Sequence, residues 1–276
     1  VTGEVEQVLD DEGNPRIVNC QDFLYGVRRT LDPNTGGSYA YVNWVIENAG
    51  AVNGENGEDD PLFGQVDQVA VECLDDFTIQ YTLRQPAAFF PSIAHMWINW
   101  AQPQWLIEEM GDRWVEPGLL QSYGPYALFD WTHDASITMI ANPFWPGIDS
   151  IPQPTLKYVH SLFLDSVEQM ANYESDLMDV AEVPQAEIDR VKADPMLSGE
   201  LNIYPDTCTY YYGFNVTKPP FDDVNVRKAF SWAIDRQALI DNITKGEQEP
   251  ARWFSRPGLT AAPSPDAGDA FGPPPT

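Results

Sequence analysis

The 276 residues carry 15 basic and 42 acidic side chains, a formal net charge of -27, which repels nucleic acid and anionic lipid headgroups and removes both as partners. At 43% hydrophobic residues the chain can build a substantial core, so disorder throughout is excluded. No apolar run approaches the roughly 18 residues of a membrane span, and the opening VTGEVEQVLDDEGNP has no basic end followed by an apolar stretch, so the signal of an exported protein would lie upstream or have been removed.

The first predicted element is a short amphipathic helix. Asn19 is placed to cap it, with Asp22 three residues on and Phe23, Val27 and Leu31 at four-residue spacing. It ends at LDPNTGG, a cluster of turn formers. Residues 50–60, containing GENGEDD, read as an exposed acidic loop whose spacing does not match a calcium loop. From Gln68 the period changes to two: Val69, Val71 and Cys73, a turn at Asp75 and Asp76, then Phe77, Ile79, Tyr81 and Leu83 predict a hairpin.

Residues 86–114 are rich in proline and aromatics, among them Phe89, Phe90, Trp97, Trp100, Trp105 and Trp114. Such rings can stack on a sugar, but buried packing is the commoner use and is the expectation here. A second hairpin follows, YALFDW and SITMI around a turn at 132–135, then a bend, NPFWPGIDSIPQP, and a strand-like LKYVHSLFL. Asp165 and Glu168 form a capping box for the next helix. A short strand, LMDVAEV, and a helix over 184–192 complete a mixture of strands and helices that argues an α/β or α+β architecture.

Asp223 opens a helix in which Val226, Ala229, Phe230, Ala233 and Ile234 have the spacing of one buried face. Asp235 caps another, ended by Gly246. The remaining PGLTAAPSPDAGDAFGPPPT is too poor in apolar residues to pack alone and is expected to be an extended tail. In domain terms we expect an early unit over 1–120, part of a first lobe over 121–210, a crossing strand and the first helices of a second lobe over 211–257, and the tail over 258–276.

Chemistry-bearing motifs are missing. His95, His133 and His160 sit in no recognisable catalytic arrangement, there is no HExxH, Walker or Rossmann pattern, and the acidic pairs have turn or capping explanations. The expectation is no enzyme, no cofactor and no metal site. Cys20, Cys73 and Cys208 show no CxxC spacing, which leaves room for one disulfide and one odd thiol.

Order along the chain is more informative than any single motif. NCQDFLYGVRRTLDPNTGGSYAY, LDDFTIQYTLRQPAAFF, GDRWVEP, YGPYALFDW, ANPFW, YESDLMDVAEVP, CTYYYGFN, KPPFDDVNVRKAF and AIDRQALIDNITKG together resemble the solute-binding proteins of ABC importers, of the peptide and nickel class and closest to the oligopeptide-binding proteins. The resemblance implies a two-lobed α/β periplasmic-binding-protein-like fold, capture of extracytoplasmic peptides, and delivery to an ABC permease in the membrane. Recognition of a peptide's backbone would tolerate varied side chains. The implied location is extracytoplasmic, in the periplasm or at the cell surface, with a lipid anchor upstream as one route.

By the same resemblance Tyr39 aligns with a cleft-facing tyrosine and Tyr211 with one at the strand crossing between lobes, which makes both the candidate ligand contacts. Phe214 and Asn215 align with structural positions. Cys208 aligns with a cysteine whose later partner is absent here, and Cys20 and Cys73, which replace small residues of the family pattern, are a candidate disulfide pair. Family members are longer at both ends, so the chain is expected to be a fragment that binds peptide weakly or not at all alone. Two alternatives stand beside this reading: a carbohydrate-binding member of the same family, and an acidic surface or structural protein without a transport role.

Overall fold

The computed structural model describes residues 5–204, 206–251, 253–256, 258, 259 and 262. It divides into two compact units with the boundary between Phe163 and Leu164, a division that differs from the expected borders at 120 and 210. The start of the chain and nearly all of the expected tail over 258–276 lie outside the described residues.

In the first unit, helix α1 spans Cys20–Leu31. Asn19 accepts from the Gln21 N–H at 2.8 Å while the Asn19 N–H donates to Asp22 at 2.9 Å, so the capping box forms as its spacing predicts. Arg28 and Arg29 in the last turn oppose the negative end of the helix dipole. Val27 and Leu31 are fully buried, with Leu24 beside them. The turn after α1 places Gly36 at φ 66°, a left-handed conformation that glycine adopts without a Cβ penalty.

A 3₁₀ segment at Ala40–Val45 leads to α2, Ala49–Asn53. The loop expected from residue 50 therefore begins only at Gly54. Ala49 and Val52 are fully buried and join Ile46, Val69 and Val71 against α1, and that burial draws a glycine-containing segment into a helix. Strands β1 (Val71–Asp75) and β2 (Thr78–Tyr81) make the predicted hairpin, with Cys73 opposite Ile79 and a bulge between Cys73 and Asp75. Cys20 and Cys73 are joined as a disulfide with their Cα atoms 5.8 Å apart.

Short helices α3 (Phe90–Ala94) and α4 (Gln104–Met110) flank a 3₁₀ turn at Trp97–Asn99. The second hairpin, β3 (Tyr126–Thr132) and β4 (Ser136–Ala141), continues into β5 (Tyr158–Leu162) as an antiparallel sheet in the order β3-β4-β5. Asp134 takes φ 60° in the tight turn of that hairpin.

The second unit opens with α5, Ser166–Glu174, whose cap Asp165 and N3 residue Glu168 form the predicted box. Helix α6 spans Ile188–Ala193, buried through Ile188 and Val191. The strand expected at 177–183 does not form: Leu177 and Val180 are exposed, and no described strand lies beside them to pair with. Residues 208–215, expected to cross between lobes as a strand, likewise join neither described sheet. Helices α7 (Val224–Ala233) and α8 (Arg236–Leu239) start at Asp223 and Asp235 as predicted. The left-handed residue that ends the following turn is Lys245, at φ 52°, and not Gly246. The face of α7 expected to be buried is only partly covered: Phe230 meets Phe214 and Phe221 but stays half exposed, and Ile234 is exposed in part, because helical spacing marks which residues share a face without supplying the surface that covers it.

Candidate functional site

Tyr39 lies just before the 3₁₀ segment Ala40–Val45, half exposed, with its ring 5.6 Å from that of Trp97 in an edge-to-face arrangement of 79°. Tyr41 lies 6.4 Å from Tyr39 at 27°. Tyr39, Tyr41 and Trp97 are 50%, 56% and 55% exposed, so the expectation that the aromatics of 86–114 serve mainly as packing fails for Trp97, and for Phe89 and Trp100, which are also exposed. Tyr41 and Trp97 sit on 3₁₀ segments, and Tyr39 immediately precedes the first of them.

These segments rest on buried polar groups. Asn43 and Asn99, both essentially inaccessible, exchange two amide hydrogen bonds of 2.8 and 3.2 Å, and the Asn99 amide also donates to the Ile93 carbonyl at 2.8 Å. The pair ties the segment carrying Tyr39 and Tyr41 to the one carrying Trp97. Helix α1 holds the second segment from behind: the Thr30 hydroxyl donates to the Ile98 carbonyl at 2.7 Å, and Arg29 donates to Gln102 at 3.1 Å. Gly26 allows the approach, since a Cβ there would lie 2.3 Å from the Trp100 carbonyl oxygen. Reasoning from the sequence missed the Asn43–Asn99 pair. Its signal was an asparagine inside each of two aromatic-aliphatic runs, AYVNWV and WINW, where a buried amide demands a partner.

Tyr211, in the second unit, is 63% exposed and packs edge-to-face on Phe254 at 5.0 Å. Phe214 stacks on Phe221 at 4.9 Å and meets Phe230, while Asn215 accepts from the Thr217 N–H and hydroxyl. Phe214 thus packs in a small ring cluster, while Asn215 is exposed and makes only a local turn contact, with no strand at 208–215 for either to hold. Tyr39 and Tyr211 thus belong to different units.

Elsewhere a groove of about 310 Å³ runs along α1, lined by Arg28, Arg29, Asp32 and Asp67 among others. Arg28 directs both terminal nitrogens at Asp67, leaving its buried Nε unpaired, and Arg29 lies over the Trp114 ring, so its cationic charge is already engaged. His133 approaches Glu116 at 3.2 Å, and His160 Nδ1 is hydrogen-bonded to the Thr138 hydroxyl at 2.7 Å. Among the described residues no three His, Cys, Asp or Glu side chains gather in a metal-binding group. No described helix is long and apolar enough to cross a membrane.

The sequence profile for bacterial extracellular solute-binding proteins, family 5 Middle, matches residues 13–273. This chain belongs to the family 5 solute-binding proteins. Within the family it is 32% identical to the dipeptide-binding protein DppE of Bacillus subtilis, over 94% of this chain and 45% of that protein. Among solved structures it resembles the murein tripeptide binding protein MppA of Escherichia coli, with a TM-score of 0.74 at 26% identity over 91% of this chain and 48% of the other. A further match is Haemophilus influenzae OppA in complex with the peptide RPPGFSPFR, with a TM-score of 0.70 at 26% identity, over 89% and 46% of the two chains. The chain spans about half the length of these relatives. Its mixed α/β fold is that of this family, and the relatives named are binding proteins.

Proposed function

We propose that this chain forms part of the solute-binding component of an ABC importer, which captures extracytoplasmic peptides and passes them to a membrane permease. Tyr39 and Tyr211 are its proposed ligand contacts. The observation that carries the reading is the exposed Tyr39 ring on a buried polar base within a family 5 chain: a rigid ring with one hydroxyl contacts a peptide at low entropic cost. The named relatives bind a dipeptide, a murein tripeptide and a nonapeptide, ligands that share the amide backbone. The proposed setting is outside the cytoplasm, in the periplasm or at the cell surface.

A carbohydrate-binding role is the second reading, favoured by the exposed Trp97 and Trp100. A thermal-shift panel of peptides and oligosaccharides on the complete gene product separates the two, because a ligand bound only by the native state raises the melting temperature. We expect peptides to raise it and Tyr39→Ala to reduce the rise. A rise with oligosaccharides alone would replace the peptide reading.

A further inference from the structure

We propose that Trp97, with Tyr39 and Tyr41, is a preset aromatic platform that selects peptides by a ring-bearing residue, aromatic or proline. The inference rests on the peptide-capture reading and adds to it a side-chain preference and a residue that sets it.

Three observations converge. The rings form one contiguous group, Trp97 to Tyr39 to Tyr41, with about half of each exposed. Folding ordinarily covers an indole, whose burial contributes strongly to stability, yet here the buried atoms belong to the support: Asn43, Asn99 and Ile98 lie beneath while Trp97 faces out. The support removes the conformational freedom that a ligand would otherwise have to freeze, which is how a preset surface gains affinity.

The two segments that carry the rings are also without charged side chains. Segments 37–46 and 91–101 contain no Asp, Glu, Lys or Arg, in a chain with 42 acidic and 15 basic residues, and His95 is their sole titratable side chain apart from the tyrosines. A ligand group is therefore read here by shape and by the ring quadrupole, not by charge. Three rings match one side chain in size, far below the roughly 800 Å² per partner of a stable protein interface. An uncharged ring on the ligand satisfies both conditions: an aromatic ring gains from offset and edge-to-face contact, and a proline lays the C–H groups of its rigid apolar ring against the negative ring face.

The test uses calorimetry on the complete gene product with four peptides that differ at one position: Phe, Pro, Leu or Ser. We expect Trp97→Ala to weaken binding of the Phe and Pro peptides roughly three- to tenfold and of the Leu and Ser peptides less than twofold, a Leu loss as large as that of Phe overturning selection by a ring. Trp97→Phe should recover most of the loss. Trp100→Ala serves as the control, because Trp100 is as exposed but directs its indole N–H to the His95 carbonyl at 3.2 Å. Equal losses for all four peptides, or none, would overturn the platform while leaving peptide capture intact, as would a loss seen only with oligosaccharides in a wild-type protein that also binds peptide. Absence of peptide binding by the wild type would remove the capture reading, and this inference with it. Circular dichroism melting of each variant shows whether a loss reflects unfolding instead, in which case Trp97→Phe decides the matter.

Discussion

Asn99 is 2% exposed, and its amide serves both Asn43 and the Ile93 carbonyl. Replacing it by alanine leaves the Asn43 amide buried without its partner, and an unmet buried polar group costs about 1–3 kcal/mol. Asn99→Ala should lower stability by that amount in urea denaturation, and an unchanged midpoint would show that water satisfies Asn43. Two asparagines in apolar runs are legible as candidates for buried amides. That they pair with each other across 56 residues is not, because a sequence position carries no information about which distant amide will face it.

At the scale of elements, capping chemistry was the most readable feature. Asn19 with Asp22, Asp165 with Glu168, Asp223 and Asp235 all begin helices as their spacing predicts, because a cap acts on backbone N–H groups within three residues of itself. The hairpins were equally readable, since alternation and a turn are local. The strand expected at 177–183 was misread because a ladder needs a second strand, which local alternation cannot provide.

The Cys20–Cys73 bond links the start of α1 to β1 across 53 residues. A cross-link over such a loop restricts the unfolded chain and stabilises by up to about 4 kcal/mol in the chain-entropy description. Cys73→Ser, or reduction with dithiothreitol, should shift the denaturation midpoint of the first unit downward by a corresponding amount. An identical midpoint with and without reductant would mean that the bond is not formed in solution.

For the whole molecule, charge sets the response to pH and salt. Asp10, Asp60, Asp75 and Asp194 are each held below the ordinary carboxylate value near 3.8, chiefly by backbone N–H groups from Asn14, Leu62, Phe77 and Leu197 that favour the ionised form. A lowered folded-state value means stabilisation that is present above about pH 3.8 and is lost as pH falls through the lower folded values. Against this, a net charge of -27 at pH 7 destabilises the compact state by self-repulsion, which salt screens. The denaturation midpoint should therefore rise with salt at pH 7, and the part contributed by these four carboxylates should be lost below about pH 3.8. Asp75→Asn should flatten part of that acid loss, and a midpoint indifferent to salt at pH 7 would show that the acidic side chains are too dispersed to repel.

Composition, caps, alternation and the ordered series of family-like segments determined by themselves the mixed α/β class, most helix starts, both hairpins and the family, because each depends on residues close in sequence or on their order. Only the tertiary structure decided which aromatics face solvent, that Asn43 meets Asn99 beneath Trp97 and Tyr39, and that the apolar face of α7 is only partly covered. Exposure and pairing depend on what lies opposite a residue in space, and the chain settles that only when distant segments pack.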